Sequence, residues 1–569
     1  MRVTSLGLVL LALLGFSAAR VPAADEYKVT GLDQYGNTDD LYSGFIPLSL
    51  QEPNDEGAFF FIMAKARRPS SNLVIWLNGG PACSSMVGFA NENGPFTLSF
   101  RSDGAPGYQL HKNSFAWNEE ATVVFVEQPI RTGFSLASKG ARRIQNELEI
   151  VDDFYNFLKN LLTIFGDLQG HEVFITGESY AGMYIPFQAQ YIVKKQAKNK
   201  LLGGIHINLV GVAIGNGAID PLQDLSYSEY AYSHGLIGIN AKKKIDASAA
   251  KCYAQIVKNG RGDCETMSQV LEAAGNPNEY DTGTFNGYTR ITSPGGVFDS
   301  FFNDPNVQEA LHVRGIDIPG INFVPESGDA SDPATPPVAF APEKWVVCND
   351  QTGGEIGASD YTSSVPALKY LASAPGFRVL LYSGERDLNT NFLGTLHVLE
   401  SSEDGWIDGQ PWSSAKRALW RSGGDVAGTY QTLNSGKFSF LVVRNSGHLL
   451  PMDIPQQALD LLHRFLANES FSDVPLLSDD AYLAKHLPLM GSTAPPSSTA
   501  AAAAGLGAFA LLVLLATFAT LGVVVHRRKR ASDTYASLVS VAVELPPMTE
   551  SCTRPEPNRA THYGAGYQL

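Results

Sequence analysis

The stretch "FITGESYAGMYIP", residues 174–186, places Ser179 between an apolar segment typical of a strand and an apolar segment typical of a helix. Serine is favoured at helix starts, and it is also the nucleophile on the sharp strand-to-helix turn of G-x-S-x-G sequences. The small residues Gly177 and Ala181 flank Ser179 and leave room for such a turn. A nucleophilic serine needs a base, and the base needs an orienting acid, so the choice depends on the rest of the chain.

The apolar segments of the chain predict an α/β fold. Short β-branched runs indicate buried strands at "LVIWL" (73–77), "TVVFVE" (122–127), "VFIT" (173–176), "LVGVAIG" (209–215), "RVLLYS" (378–383) and "FSFLVV" (438–443). Between Glu147 and Phe165, apolar residues that include Leu148 recur at three- and four-residue spacing, which predicts an amphipathic helix. Strands that alternate with helices favour a largely parallel sheet with helices on both faces.

The strand pattern stops between about residues 220 and 367. This region contains "TSPGGVFDSFFNDP" (292–305) and the polar "PESGDASDPATPP" (325–337). Gly- and Pro-rich stretches of this kind are typical of turns and loops. We therefore predict an insertion that forms a cap over the sheet.

Composition excludes one class of partner. The chain has 569 residues, 44% of them hydrophobic and 17% charged, as in a globular protein. Its formal net charge of -15 argues against nucleic-acid binding, which needs a basic face. The pair His171-Glu172 lacks the second histidine of a helical zinc motif, so we predict neither a metal nor a cofactor.

The two ends of the chain indicate a membrane protein of the secretory pathway. Residues 1–23 have the plan of a signal peptide, and residues 500–525 form an uncharged run long enough for one transmembrane helix. The basic run "HRRKR" follows the span, which places residues 526–569 in the cytosol. Residues 24–475 are then a luminal domain, and residues 476–499 are a stalk. This is a single-pass type I arrangement.

Motifs in the tail and the lumen refine this location. The tetrapeptides that begin at Tyr535 and Gly566 resemble endosomal sorting signals. The predicted location is therefore a Golgi, endosomal or lysosomal membrane, or the cell surface. The sequon Asn468-Glu469-Ser470 lies on the luminal side, where Asn468 is a candidate for glycosylation.

Four of the five cysteines are luminal, which is an even number in an oxidising compartment. They are Cys83, Cys252, Cys264 and Cys348. Four cysteines allow three pairings. A short local loop between Cys252 and Cys264 would leave Cys83 and Cys348 as a long-range pair.

The chain supplies both partners that a serine nucleophile needs. Asp387 follows the strand of "RVLLYSGERDLNTN", and His448 follows the strand of "FLVVRNSGHLLPMDIP". In α/β hydrolases the acid and then the histidine follow the serine in this order. The Gly-rich turn of "WLNGGPACSS" (76–85) predicts an oxyanion hole formed by the N–H groups of Gly80 and Tyr180.

A set of motifs in one order resembles the serine carboxypeptidase family over about residues 26–470. The motifs are "WLNGGPACSS", "ENGPF" (92–96), "VEQPIRTGFS" (126–135), "FITGESYAG", "AIGNGAIDP" (213–221), "YSGERDLNTNFLG" (382–394) and "SGHLLPMDIP". The resemblance implies an α/β-hydrolase fold with a central, mostly parallel sheet, helices on both faces and an inserted cap. It implies a serine-type carboxypeptidase that releases C-terminal residues from peptides or proteins.

The resemblance also implies a role for each matching position. Ser179, Asp387 and His448 form the catalytic triad, with Gly80 and Tyr180 as oxyanion donors. The substrate carboxylate is held by Trp76, Asn78, Gly79, Glu92 and Glu178. Cys83 pairs with Cys348. Val87 and Leu449 line the pocket for the last substrate residue, which is therefore expected to be apolar.

The two glutamates predict an acidic optimum. Two ionised carboxylates would repel an anionic substrate end, so Glu92 and Glu178 must hold at least one proton between them. Activity should fall as the pair ionises, while the limb at the acid end should report His448, which acts as a base only when neutral. The sequence departs from the family pattern at Ala82, where glycine is usual, at Arg131, where a small or polar residue is common, and at Leu449, where methionine is common.

Two alternatives share these motifs. A serine carboxypeptidase-like acyltransferase would use the same residues with a non-water acceptor. A luminal binding or protective protein would have a vestigial triad that no longer catalyses a reaction. The complete set of catalytic groups weighs against the second alternative, because binding alone does not require it.

Overall fold

The computed structural model describes residues 21–50, 57–103, 107–138, 141–199, 204–259, 264–284, 295–314, 339–340, 344–357 and 362–476. Residues 1–20 of the predicted signal peptide lie outside this part of the chain. So do residues 477–499 of the predicted stalk, the predicted span 500–525 and the tail. Within the described residues, no helix combines the length and the apolar character that a membrane crossing needs.

The described residues form the following strands and helices. The strands are β1 (Leu41–Pro47), β2 (Gly57–Ala64), β3 (Asn72–Leu77), β4 (Phe96–Phe100), β5 (Tyr108–Lys112), β6 (Thr122–Val126), β7 (Leu136–Ser138), β8 (Glu172–Glu178), β9 (Leu209–Gly215), β10 (Ala339–Phe340), β11 (Arg378–Gly384), β12 (Lys416–Ser422), β13 (Asp425–Leu433), β14 (Phe438–Val443) and β15 (Val474–Leu476). The helices are α1 (Met86–Asn91), α2 (Val151–Ile164), α3 (Ala181–Asn199), α4 (Tyr227–Ser233), α5 (Ile239–Asn259), α6 (Thr266–Ala274), α7 (Val297–Phe302), α8 (Pro305–Ala310), α9 (Asp350–Gly357), α10 (Val365–Ser373), α11 (Phe392–Glu400), α12 (Leu450–Asp453) and α13 (Pro455–Ala467).

A 13-stranded mixed sheet organises the domain. Its order is β10-β7-β2-β6-β3-β8-β9-β11-β14-β13-β12-β15, with β1 paired to β2. The neighbours from β6 to β14 in this order are parallel, and the outer pairs are antiparallel. The expected parallel sheet is thus confirmed at the centre, where all six predicted strands lie. The antiparallel edges are additions that the sequence did not indicate.

The central strands are apolar throughout because helices cover both faces of the sheet. In β2, Phe59 and Phe61 point into one core, while Phe60 and Ile62 point into the other. Successive side chains of a strand alternate between faces, so a continuous apolar run fills two cores. Helices α2, α3 and α10 pack on one face, and α1 and α13 pack on the other.

The helix predicted over residues 147–165 begins later than its apolar spacing suggested. A 3-10 turn spans Glu147–Glu149, and Asn146 caps it by accepting a hydrogen bond from the backbone N–H of Leu148 at 3.1 Å. Leu148 is 65% exposed. The prediction that Leu148 belongs to the buried face is therefore wrong, because the tighter turn changes the direction of its side chain.

The insertion between β9 and β11 has two parts. Helices α4, α5 and α6 build a small apolar cluster of their own around Tyr230 and Val270. By contrast, α7 and α8 contribute Phe301 and Val307 to a core of the main sheet. Only the first part is a separate cap. Both predicted disulfides form, Cys83–Cys348 and Cys252–Cys264.

The core around β2 predicts that alanine substitutions at two phenylalanines differ greatly in their effect on the free energy of unfolding. Phe60 is fully buried, with its ring centre 5.3 Å from that of Phe45 and 5.0 Å from that of Phe134. We expect Phe60→Ala to lower the free energy of unfolding by about 3–5 kcal/mol through lost burial and a residual cavity. Phe100 is 49% exposed and serves as the matched control.

Denaturant unfolding of the wild type and the two variants measures this difference. Phe100→Ala should cost about 1 kcal/mol or less, in keeping with its exposure. Equal losses for both substitutions would contradict the placement of Phe60 in the core.

Candidate active site

Ser179 lies on a sharp turn between β8 and α3. Its φ angle is +61°, in the left-handed region that costs a non-glycine residue about 1–2 kcal/mol. The turn is held by hydrogen bonds from the N–H of Ser179 to the carbonyl of Gly215 at 3.0 Å and from the N–H of Gly182 to the carbonyl of Ser179 at 2.9 Å. A strained serine on a strand-to-helix turn matches the nucleophile interpretation better than a helix cap.

Two glycines let neighbouring backbone approach this turn. A Cβ atom on Gly177 would lie 2.3 Å from the carbonyl oxygen of Leu77. A Cβ atom on Gly79 would lie 2.3 Å from the backbone nitrogen of Tyr180. Both distances are far below any tolerable contact, so the 79–80 loop can reach the serine turn only as glycine.

Asp387 and His448 meet at the carboxyl end of the sheet. They follow β11 and β14, which are parallel neighbours, so both loops leave the same edge. His448 Nδ1 lies 2.8 Å from Asp387 Oδ2, and both side chains are fully buried. His448 Nε2 is also buried and has no hydrogen-bond partner among the described residues. This arrangement leaves Nε2 available to accept a proton.

Residues that the sequence analysis did not single out hold Asp387 in place. Asn216 Nδ2 donates to Asp387 Oδ2 at 2.7 Å, and Thr390 Oγ1 donates to the same oxygen at 2.8 Å. The N–H of Asn389 donates to Oδ1 at 2.9 Å. Asn216 follows β9 within the quoted "AIGNGAIDP" motif, which is the only signal that could have indicated it.

The cap fixes the imidazole from its other side. The backbone N–H of His448 donates to the carbonyl of Tyr280 at 2.7 Å. The Tyr280 ring centre lies 4.9 Å from that of the imidazole, in an edge-on arrangement. The position of the imidazole therefore depends on the cap as well as on the sheet.

The Cys83–Cys348 bridge anchors the loop that carries Gly80. The N–H of Ser84 donates to the carbonyl of Val347 at 2.7 Å, and the N–H of Asn349 donates to the carbonyl of Ala82 at 3.0 Å. Ala82 and Arg131, two of the three departures from the family pattern, have φ angles of +60° and +74°. Glycine adopts such angles without cost, which explains why a small residue is usual at Ala82.

Asn78 joins the two predicted carboxyl groups. Its Nδ2 donates to Glu92 Oε1 at 3.1 Å and to Glu178 Oε1 at 2.9 Å. Trp76 Nε1 and the N–H of Gly88 donate to Asn78 Oδ1 at 2.9 and 3.1 Å, which orients the amide. The five residues predicted to hold the substrate carboxylate therefore lie around one point beside Ser179.

The environment of this pair favours protonation. Burial raises the pKa of Glu92 to about 7. Burial, followed by the charge of Glu92, raises the pKa of Glu178 well above its usual range. Oε2 of each glutamate is buried without a hydrogen-bond partner in the described part of the chain. Two such carboxyl groups share at least one proton at neutral pH.

A third buried carboxyl group, that of Glu127, contacts the loop at residues 79–85 that carries Gly80. It accepts hydrogen bonds from the Ser84 hydroxyl, the Phe134 N–H and the Trp345 indole, the last at 3.2 Å. Burial raises its pKa to about 7. Glu127 connects this loop to the segment beside Cys348. The motif around Glu127 in the sequence did not indicate this contact.

The remaining predicted residues differ in exposure. Val87 and Leu449 are 2% and 0% exposed, so the described structure encloses both side chains.

Asn468 is exposed at the carboxyl end of α13, which makes it accessible for glycosylation. No group of histidine, cysteine and acidic residues that could bind a metal occurs in the described ranges.

Ser179 opens into a cavity of about 220 Å³. Gly80, Ser179 and Tyr180 line one part of it. The cap contributes Tyr227 and Met267 to the wall. The first part of the insertion thus lies over the serine, as a cap would.

Known proteins resemble the chain over most of its length. The sequence profile of the family described as "Serine carboxypeptidase" matches residues 32–323 and 337–468. "Serine carboxypeptidase S10 family member 2" of Dictyostelium discoideum is 32% identical over 465 residues, which cover 79% of this chain and 78% of that protein. "Serine carboxypeptidase 3" of Oryza sativa subsp. japonica is 31% identical, covering 75% of this chain and 80% of that protein.

A solved structure shares the fold. The crystal structure of a prohormone-processing carboxypeptidase from Saccharomyces cerevisiae matches with a TM-score of 0.64 and 24% sequence identity. The match covers 79% of this chain and 96% of that one. It supports the α/β-hydrolase architecture expected from the sequence.

The contacts of Asp387 predict that the hydroxyl of Thr390 raises kcat. Replacing Thr390 with valine keeps the shape of the side chain but removes the hydroxyl that donates to Asp387 Oδ2 and lies 3.1 Å from His448 Nδ1. We expect kcat for peptide cleavage to fall about tenfold, because a hydrogen bond to a charged group contributes about 1.5–3 kcal/mol. Steady-state kinetics measure the effect.

Thr429→Val is the matched control, because Thr429 is exposed on β13. Its kcat should equal that of the wild type. An unchanged kcat in Thr390→Val would show that the Thr390 hydroxyl does not support the Asp387–His448 pair.

Proposed function

The chain belongs to the serine carboxypeptidase family and is a serine-type carboxypeptidase, and we propose that it acts through an acyl-enzyme on Ser179 at acidic pH. The observation that carries this proposal is the buried pair Glu92 and Glu178, held by Asn78 beside the serine turn. A site for a free substrate carboxylate at this place selects the last peptide bond. Other hydrolases with a serine triad do not need such a pair.

Acylation begins when Ser179 Oγ attacks the carbonyl carbon of the penultimate substrate residue. His448 Nε2 takes the hydroxyl proton, and Asp387 stabilises the imidazolium through Nδ1. The N–H groups of Gly80 and Tyr180 bind the negative oxygen of the tetrahedral intermediate. The C–N bond then breaks, and His448 gives its proton to the leaving amine.

Deacylation repeats the sequence with water as the nucleophile. The leaving amino acid departs and opens the place next to His448. A water molecule attacks the ester carbonyl and loses a proton to His448, and the proton passes to Ser179 Oγ as the ester bond breaks. This step releases a peptide shortened by one residue and regenerates the Ser179 hydroxyl.

Recognition of the substrate end requires protonated carboxyl groups. A neutral Glu92 or Glu178 donates an O–H···O hydrogen bond to the substrate carboxylate, whereas two ionised groups repel it. Asn78 Nδ2 holds both carboxyl groups in place, and the Trp76 indole orients Asn78 through its Oδ1. Binding of a free C-terminus therefore weakens as pH rises.

The two ends of the chain support the proposed cellular location. A signal peptide directs the domain to the lumen, and the apolar run at 500–525 anchors it as a single-pass type I protein. The acidic optimum suits an endosomal or lysosomal membrane. The exposed position of Asn468 supports glycosylation on the luminal side.

Residue release from a peptide panel tests the mechanism. We expect the full-length chain to release single C-terminal residues at acidic pH and Ser179→Ala to lose this activity by about a million-fold, as expected for a lost triad nucleophile. Mass spectrometry of the shortened peptides measures it. The control is Ser402→Ala, because Ser402 lies in a half-buried loop after α11, away from the cavity.

The outcomes separate the proposal from the alternatives. Transfer of the acyl group to an added amine, with no hydrolysis, would favour an acyltransferase. Peptide binding without either reaction would favour a binding protein. Release by Ser179→Ala at the wild-type rate would exclude Ser179 as the nucleophile.

The carboxyl pair predicts the pH profile. With the pKa of Glu92 raised to about 7, kcat/KM for peptides with a free C-terminus should fall about tenfold between pH 6 and pH 8, because ionised Glu92 no longer donates a hydrogen bond to the substrate carboxylate and repels it. In a Glu92→Gln, Glu178→Gln double variant this fall should disappear, since neither amide titrates. The maximal kcat/KM of that variant should be lower.

Wild-type cleavage of peptides with a C-terminal amide is the control for this experiment. These substrates carry no terminal charge, so their kcat/KM should not fall over the same pH range. Persistence of the fall in the double variant would assign it to a different group.

A further inference from the structure

The cavity that Ser179 lines has an acidic part. Beside Ser179 and Tyr180 its wall includes Asp220, Asp224 and Glu279, and we call this part the acidic cleft. Of the described residues that line the cavity, none is Asn78, Glu92 or Glu178. Ser179 therefore lies at a cavity whose described wall is distinct from the residues predicted to hold the carboxylate.

This arrangement determines which part of a substrate enters the acidic cleft. In the proposed reaction, Ser179 attacks the carbonyl of the penultimate residue, while the last residue lies at the carboxylate site. The penultimate side chain and the residues before it must occupy the other side. The acidic cleft is lined by Ser179 and not by the carboxylate-binding residues, so it fits this part of the substrate.

The charges of the acidic cleft have one sign. Its acidic residues are Asp220, Asp224 and Glu279, and neither lysine nor arginine occurs among the described residues of its wall. Asp220 is committed to local structure, because its Oδ1 accepts from the N–H of Leu222 at 2.8 Å and caps the turn at Pro221–Ser226. Asp224 and Glu279 are the other two acidic residues of this wall.

Asp224 has a neutral partner only. Its Oδ1 accepts a hydrogen bond from the Tyr227 hydroxyl at 3.1 Å, and no described cation forms an ion pair with it. Burial raises its pKa to about 6. A buried carboxylate without a counter-ion is unfavourable, and a substrate cation would supply the missing charge.

Glu279 extends the negative surface toward the triad. Its backbone carbonyl accepts from the N–H groups of Leu388 and Asn389 at 2.9 and 3.0 Å, which fixes the segment beside Asp387. The side chain is half-buried and forms no ion pair with a described cation. Glu279 is therefore a second acidic group in the wall of the cavity, close enough to Asp387 for their charges to interact.

We propose that the acidic cleft binds a lysine or arginine side chain at the penultimate substrate residue, with Asp224 and Glu279 as its specificity determinants. This inference rests on the proposed carboxypeptidase reaction and names the substrate class of the same site. A long cationic side chain matches two separated carboxylates in an open cleft, whereas an acidic side chain is repelled. The buried Val87 and Leu449 leave the preference for an apolar last residue unchanged. The favoured end is therefore a basic residue followed by an apolar one.

Three matched peptides test the effect of the charge on the penultimate side chain. Three N-acetylated peptides end in Lys-Leu, norleucine-Leu or Glu-Leu and are otherwise identical; norleucine has the length of lysine without its charge. We expect the full-length chain at pH 6 to show a kcat/KM about tenfold higher for Lys-Leu than for norleucine-Leu, since a desolvated charge pair discriminates strongly. The Glu-Leu peptide should have the lowest kcat/KM of the three.

Substitutions locate the determinant through the ratio of kcat/KM values for Lys-Leu and norleucine-Leu. Asp224→Asn and Glu279→Gln should each reduce this ratio, with Asp224→Asn bringing it within about threefold of unity. Glu272→Gln is the matched control, because Glu272 is exposed on α6 of the same cap and does not line the cavity. Its ratio should equal that of the wild type.

Each result has a distinct meaning. Equal kcat/KM for Lys-Leu and norleucine-Leu in the wild type would overturn the inference, while their cleavage would leave the carboxypeptidase proposal intact. A wild-type ratio that persists in both variants would overturn the assignment to Asp224 and Glu279. Failure to cleave any peptide would instead contradict the proposed function. If Asp224→Asn does not fold, Glu279→Gln and the three wild-type values still decide the outcome.

Discussion

The contact between the Gly79 loop and the Ser179 turn is the constraint on which the active site depends. No side chain fits at Gly79, because its Cβ position is 2.3 Å from the nitrogen of Tyr180. The two segments come from neighbouring parallel strands, β3 and β8, whose carboxyl ends lie side by side. This single approach places both proposed oxyanion donors beside the nucleophile and sets Asn78 between the two glutamates. The Cys83–Cys348 bridge holds the loop where the contact requires it.

Buried carboxyl groups give the site its chemical character. Glu92 and Glu178 have raised pKa values because they are buried, and Glu178 is raised further by its neighbour, so they suit a substrate that arrives as an anion. In the acidic cleft, burial and then the charge of Asp220 raise the pKa of Asp224 to about 6, and no described lysine or arginine lines the wall, so the cleft suits a cation. The same residue type thus serves opposite charges in two parts of one site. What differs is the contact between the carboxyl groups, since Asn78 joins Glu92 to Glu178 whereas Asp220 caps a local turn.

The sequence predicted those strands and site residues that can be identified from a short stretch of neighbouring residues. The six central strands were evident as apolar runs, and Ser179, Asp387 and His448 were evident because each follows a strand in the expected order. Asn216, Thr390 and Tyr280 were not, since their roles arise from contacts across loops that are distant in sequence. Among the antiparallel strands, β12 lacked a signal because it alternates between buried and exposed residues, whereas the apolar run of β2 was present in the sequence but was not among the predicted strands. Leu148 was misplaced because spacing alone does not distinguish a 3-10 turn from an α-helix.

Covalent labelling with an organophosphorus ester tests most directly whether this geometry makes Ser179 a nucleophile. The reagent phosphorylates a serine only where a base and an oxyanion hole act together. Peptide mapping by mass spectrometry should find one stoichiometric adduct, on Ser179, and prior binding of a peptide with a free C-terminus should slow its formation. An adduct on a different serine, or none in a preparation that releases C-terminal residues, would contradict the account.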